Sequence, residues 1–76
     1  MTSRGVHTEA LFDELRRIEG EVVQGERQVA EQEALLVALR RQHEDTSKAC
    51  EELEMMRRQQ TAREQERQRL MSLIHP

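Results

Sequence analysis

Residues 11–39 read LFDELRRIEGEVVQGERQVAEQEALLVAL, and the spacing of their apolar positions decides the fold. Leu11, Leu15, Ile18, Val22, Gly25, Val29, Gln32, Leu36 and Leu39 follow one another at alternating steps of four and three. Seven of these nine positions are apolar, and the phase never slips. A seven-residue repeat of this kind keeps one line of side chains turned toward a partner helix, so the stretch predicts a coiled-coil helix over 9–42. Gly25 and Gln32 stand on the same line. Whatever faces Gly25 must therefore fit against bare backbone.

A second line follows farther along the chain. Ala49, Leu53, Met56, Gln60, Arg63, Arg67, Leu70 and Ile74 keep the same rhythm, with a polar middle. Carrying the first line straight on would instead select His43, Thr46, Cys50, Leu53 and Arg57. The two phases disagree beyond Leu53, a slip that an unbroken helix would have to absorb by overwinding. A break between the segments removes the conflict. Gln42-His43-Glu44-Asp45-Thr46-Ser47 supplies it, because Asp, Thr and Ser accept hydrogen bonds from the unpaired amides that open a helix. The reading is a flexible flank over 1–8, a first helix over 9–42, a turn over 43–46 and a second helix over 47–74. No glycine or proline marks the end of the first helix.

Folding the chain back about residue 44 gives an independent check. Residues whose numbers sum to 88 or 89 then meet: Leu39 with Ala49, Leu36 with Leu53, Gln32 with Met56, Val29 with Gln60 and Gly25 with Arg63. Residues 9–33 carry eight acids against three bases, and residues 57–69 carry five bases against two acids. A hairpin lays these stretches side by side, whereas a parallel dimer would set each against its own copy. Exposed charge pairs contribute little to stability, so they select the register more than they hold it.

Several residues together carry a resemblance. Val22-x-x-Gly25-Glu26-Arg27-x-Val29-x-x-Gln32 and Leu36-x-x-Leu39 are followed by Asp45-Thr46-x-x-Ala49-x-x-x-Leu53, then by Gln60 and Arg67-x-Arg69-Leu70. Over about residues 22–71 the chain resembles a set of short uncharacterised proteins from rhizobia and related alphaproteobacteria. The resemblance implies a helical hairpin and carries no biochemical activity. Members of that set usually have a glycine where this chain has His43, and an aromatic where it has Met56.

Composition bounds the function. The chain has 76 residues, 36% hydrophobic and 36% charged, with one phenylalanine and neither tryptophan nor tyrosine. So few aromatics cannot anchor the core of a small globular enzyme. One cysteine excludes an internal disulfide framework and a cysteine-rich zinc site. No apolar run reaches the length of a membrane span, and no signal-peptide stretch opens the sequence, so the expected setting is cytoplasmic, with no membrane partner. A formal net charge of −3 exerts no general pull toward nucleic acid or anionic lipid.

The residues that could carry chemistry are few. His7, His43 and His75 do not stand at ligand spacing, and neither helix holds a Glu-x-x-His pair, so no metal, cofactor or small-molecule substrate is expected. Cys50, beside the seam, reads as a small filler. Arg57, Arg58, Arg63, Arg67 and Arg69 are the single candidate for phosphate contact, but Glu54, Glu64 and Glu66 interleave with them and no aromatic offers a stacking surface.

The expected fold is therefore all-α, a two-helix antiparallel coiled-coil hairpin that assembles into a four-helix bundle. The expected role is a non-enzymatic protein–protein interaction or structural module with an interaction seam of Leu11, Leu15, Ile18, Val22, Val29, Leu36, Leu39, Leu53, Met56, Leu70 and Ile74. Val23, Leu35, Val37, Met55 and Leu73 lie off that seam. A second hairpin could cover Leu35 and Met55 near the turn, so self-association as a homodimer is expected, with a different helical protein as the other partner. Two alternatives stand beside this reading: a small regulatory protein contacting nucleic acid through the arginine-rich second helix, and one continuous helix that dimerises in parallel.

Overall fold

The structure is a computed structural model and describes residues 3–75. Two helices make up the fold, α1 over Ser3–Arg41 and α2 over Ser47–Ile74. They lie antiparallel and pack against each other along their length, giving a rod with backbone extents of 64 × 15 × 14 Å. Its radius of gyration is 17.7 Å, well above the roughly 11 Å of a compact chain this long. The chain is thus a helical hairpin and not one unbroken helix.

Helix α1 begins at Ser3, so the flank expected over 1–8 is helical from its third residue. Residues 1–2 of that flank lie outside the described residues. The physical reason is propagation. No proline interrupts residues 3–10, and each residue added to a standing helix gains a hydrogen bond at the cost of ordering only itself. At its other end α1 closes at Arg41, where Arg40 and Arg41 place positive charge against the negative end of the helix dipole.

The stop is made without glycine. His43 takes a left-handed conformation, φ 57°. Its amide donates to the Arg40 carbonyl at 3.1 Å, and the Glu44 amide donates to the Leu39 carbonyl at 2.9 Å. Those are the paired bonds of a Schellman closure, which satisfies carbonyls that the helix end leaves open and usually places glycine at the left-handed site. A residue with a Cβ is strained there by about 1–2 kcal/mol, less for His than for branched side chains. His43→Gly should therefore stabilise the hairpin by about 1 kcal/mol once the freer unfolded chain is counted, raising the thermal midpoint by roughly 4–8 °C. His43→Val should lower it. A glycine variant that melts earlier than the parent would overturn this account of the turn.

The start of α2 is set by Asp45 and not by Thr46. The Asp45 carboxylate accepts from the Ser47 amide at 3.0 Å and from the Ser47 hydroxyl at 2.8 Å, while the Thr46 side chain makes no capping bond. These bonds, the backbone one first, hold the Asp45 carboxyl below its usual value. A folded-state value lowered in this way adds stability that is present at neutral pH and lost as pH falls through it. No acid stands in the first turn of α2, so Asp45, just ahead of it, is the carboxylate nearest the helix opening.

The core is a single stripe. Ile18, Val22, Leu36, Ala49, Leu53 and Leu70 are its buried apolar residues. Nearest the turn, Leu36, Ala49 and Leu53 cluster, with Val29, Leu39 and Cys50 packed against them. Leu36 thus shares one cluster with Ala49 and Leu53. Gly25 meets Gln60 as well as the expected Arg63.

Candidate interaction surface

The eleven seam positions are distributed along this stripe in two grades of burial. Ile18, Val22, Leu36, Leu53 and Leu70 are buried. Leu11, Leu15, Val29, Leu39, Met56 and Ile74 are half-buried. Two helices can shield a line of side chains from two sides only, which leaves the seam residues at the open end, Leu11, Leu15 and Ile74, partly in water.

The middle of the seam is polar and organised. Gln32, buried, donates its side-chain amide to the Ala49 carbonyl at 3.1 Å and to the Glu52 carboxylate at 3.3 Å. Those contacts lie one to two helical turns nearer the turn than Met56, whose side chain carries no oxygen to accept from the amide. Gln60, also buried, donates to the Val22 carbonyl at 2.7 Å and accepts from the Arg63 guanidinium at 3.3 Å. Both amides thus tie one helix to the backbone of the other, and both exploit an axial position that an apolar side chain would otherwise fill. A buried amide with its partner satisfied costs little, whereas a shifted register would leave it stranded. The Arg67 Nε is buried without a hydrogen-bond partner. Periodicity located these positions; it carried no sign that the glutamines would reach main-chain carbonyls.

Helical geometry divides the exposed surface into two flanks beside the seam. On one, Glu33 pairs with Arg57 at 2.8 Å across the helices. Beside that pair an open groove of about 360 Å³ is lined by Glu26, Val29, Arg57, Gln60, Thr61 and Glu64. At 100° per residue, Phe12, Val23 and Val37 of α1 and Met71 of α2 belong to this flank. The opposite flank holds Leu35, Met55 and Leu73. It also holds an ionic cluster at the open end, where Arg17 bonds Glu14 and Glu21 while Arg69 bonds Glu66. The Arg17 bond, then its charge, lowers the Glu14 carboxyl; the Arg69 bond likewise lowers Glu66.

The other candidates disperse. Arg57 is engaged by Glu33, Arg63 bonds Gln60, Arg67 is half-buried in the seam and Arg69 bonds Glu66, leaving Arg58 alone of the arginine string outside these arrangements. His43 is spent on the turn, and His75 caps the end of α2 with its amide on the Met71 carbonyl. The side chain of His7 lies outside the described residues. Cys50 is half-buried and packs against the Leu36 cluster. Among the described residues no group of three or more His, Cys, Asp or Glu converges as a metal site, and no helix is long and apolar enough to cross a membrane. In comparison with known proteins, no family model, no curated protein and no solved structure matches the chain.

Proposed function

We propose that this hairpin is a non-enzymatic coiled-coil module whose work is protein–protein association, and that it associates first with itself, as a homodimer forming a four-helix bundle. One observation carries the reading. Among the described residues six apolar ones are buried, yet seven large ones stay exposed: Phe12, Val23, Leu35, Val37, Met55, Met71 and Leu73. Burial contributes about 25 cal/mol per Å² of apolar surface, and ordering costs roughly 1.5 kcal/mol per residue, so a hairpin with one buried stripe is marginal alone. A cytoplasmic setting and kinship with the short alphaproteobacterial hairpin proteins belong to the same proposal.

The arginine arrangement favours this reading over nucleic-acid contact. Phosphate binding needs free cations along one face, and here the string is divided between ion pairs, a glutamine and the seam. Association is tested by heating the protein at several concentrations. The thermal midpoint should rise with concentration, because mass action stabilises whatever the folded state binds. A concentration-independent midpoint with a monomeric mass at micromolar protein would contradict it. Tight binding to duplex DNA or RNA at physiological salt, falling steeply as salt rises, would move the function to the nucleic-acid reading.

A further inference from the structure

The apolar stripe by itself does not fix how the two helices align. Slide α2 one heptad along α1, and Leu53 would meet Val29 while Leu70 would meet Leu11, apolar against apolar as before. The turn would move by about half a heptad. Charge selects weakly among such alignments. Among the ion pairs of the described residues, Glu33–Arg57 alone joins the helices, and both side chains are at least half exposed to water.

The two buried glutamines are different. Each donates to a main-chain carbonyl of the other helix, Gln60 to Val22 at 2.7 Å and Gln32 to Ala49 at 3.1 Å. The Gln60 head lies where a Cβ of Gly25 would stand: its Oε1 overlaps that position and its Cδ is 2.8 Å from it. The Arg63 guanidinium, on the same helix, donates to that oxygen at 3.3 Å. Every alignment offers a carbonyl, since each helical residue carries one, but a side chain beside it stands in the amide's way. Gly25 is the one glycine among the nine seam positions of α1, so the slot occurs once. After a slip of one heptad toward the open end, the Gln60 head would meet Ile18, whose branched side chain fills that space. The amide would then be buried without its partners, an unfavourable state. Gln32 makes the reciprocal contact from α1 onto α2, with a second bond to the Glu52 carboxylate at 3.3 Å.

We propose that these two amides are the register determinants of the hairpin: Gln60 seated at Gly25, and Gln32 bonded to the Ala49 carbonyl, admit one alignment of α2 on α1 and reject the heptad-shifted ones. The apolar stripe holds the helices together, and the amides choose among the alignments that the stripe would accept. A polar side chain buried in a seam selects register at a cost in stability. Leucine in its place should therefore hold the helices at least as well and align them less strictly. The inference goes beyond the association reading and does not depend on it, because it concerns the hairpin alone. Its consequence is that the exposed residues of α1 and α2 keep fixed positions relative to one another on each flank.

Spin labels on the full chain test the alignment. Ala34→Cys and Ser72→Cys, both exposed, are labelled in a Cys50→Ser background and diluted into unlabelled protein. A slip of one heptad changes their offset along the rod by about 10 Å. With both glutamines present, one distance is expected. Gln32→Leu together with Gln60→Leu should add a second distance, shifted by about that amount, while the urea midpoint falls no lower than that of the labelled parent. Gly25→Ala in a Gln32→Leu background should add it too, since it closes the slot while Gln60 remains. A single unchanged distance in either variant would overturn the proposal. So would a double-leucine variant that fails to fold, because the amides would then be holding the hairpin together and not aligning it.

Discussion

Gly25→Leu should destabilise the hairpin by about 3 kcal/mol, read as a lowered urea midpoint with an unchanged slope. Gly25 is buried in the seam where α2 crosses it. A Cβ there would overlap the Gln60 Oε1 and lie 2.8 Å from both the Gln60 Cδ and the Arg63 Nη1. A single methyl could be met by swinging the flexible Gln60 aside, at the cost of its bond to the Val22 carbonyl. A full leucine has no such escape and must wedge the helices apart. Gly20 on the same helix is the control, because nothing lies within 4 Å of a Cβ added there. Gly20→Ala should stabilise by about 1 kcal/mol through helix propensity alone. Two substitutions of the same glycine type, five positions apart, should thus move stability in opposite directions. Equal effects at the two sites would remove the close approach from the account.

Leu53→Ala should cost about 2–3 kcal/mol, the lower part of the range for deleting a buried leucine. Leu53 is 5% exposed and belongs to the cluster with Leu36 and Ala49. The loss combines transfer of the side chain with the gap it leaves. A two-helix rod has neighbours on few sides, so the helices can close part of that gap, and the cost stays below that of an enclosed core. Leu73→Ala, at a position 51% exposed, should change stability by less than about 0.5 kcal/mol in the monomer. Thermal or urea unfolding compares them directly. Similar losses at Leu53 and Leu73 would mean that the stripe is not where the folding free energy resides.

What was legible in the sequence follows from which forces are periodic. Burial repeats with the helix, so the four–three spacing located Ile18, Val22, Leu36, Ala49, Leu53 and Leu70, the residues that the structure buries. It also placed Gly25 opposite Arg63, since a missing side chain on a seam must be met by something long. Three features are not periodic and were not visible. The left-handed conformation of His43 depends on how the chain leaves α1, and the residue type alone points to glycine instead. The early start of α1 depends on propagation through residues that lack a helical pattern of their own. The reach of Gln32 and Gln60 to main-chain carbonyls of the other helix depends on where the side chains lie between the helices, which spacing along one chain does not encode. Function was the least legible, because the informative surface is a set of isolated apolar residues on two flanks, and no repeat joins them.

The fold-back of one chain on itself underlies every statement about this protein, and one distance tests it. In a Cys50→Ser background, spin labels at Val29→Cys and Gln60→Cys, diluted into unlabelled protein, report separation within a single molecule. Val29 and Gln60 line the same groove in the hairpin, so the labels should be separated by less than about 20 Å, little more than the distance between packed helix axes. An unbroken helix would place them roughly 45 Å apart at 1.5 Å per residue, and that result would contradict the hairpin.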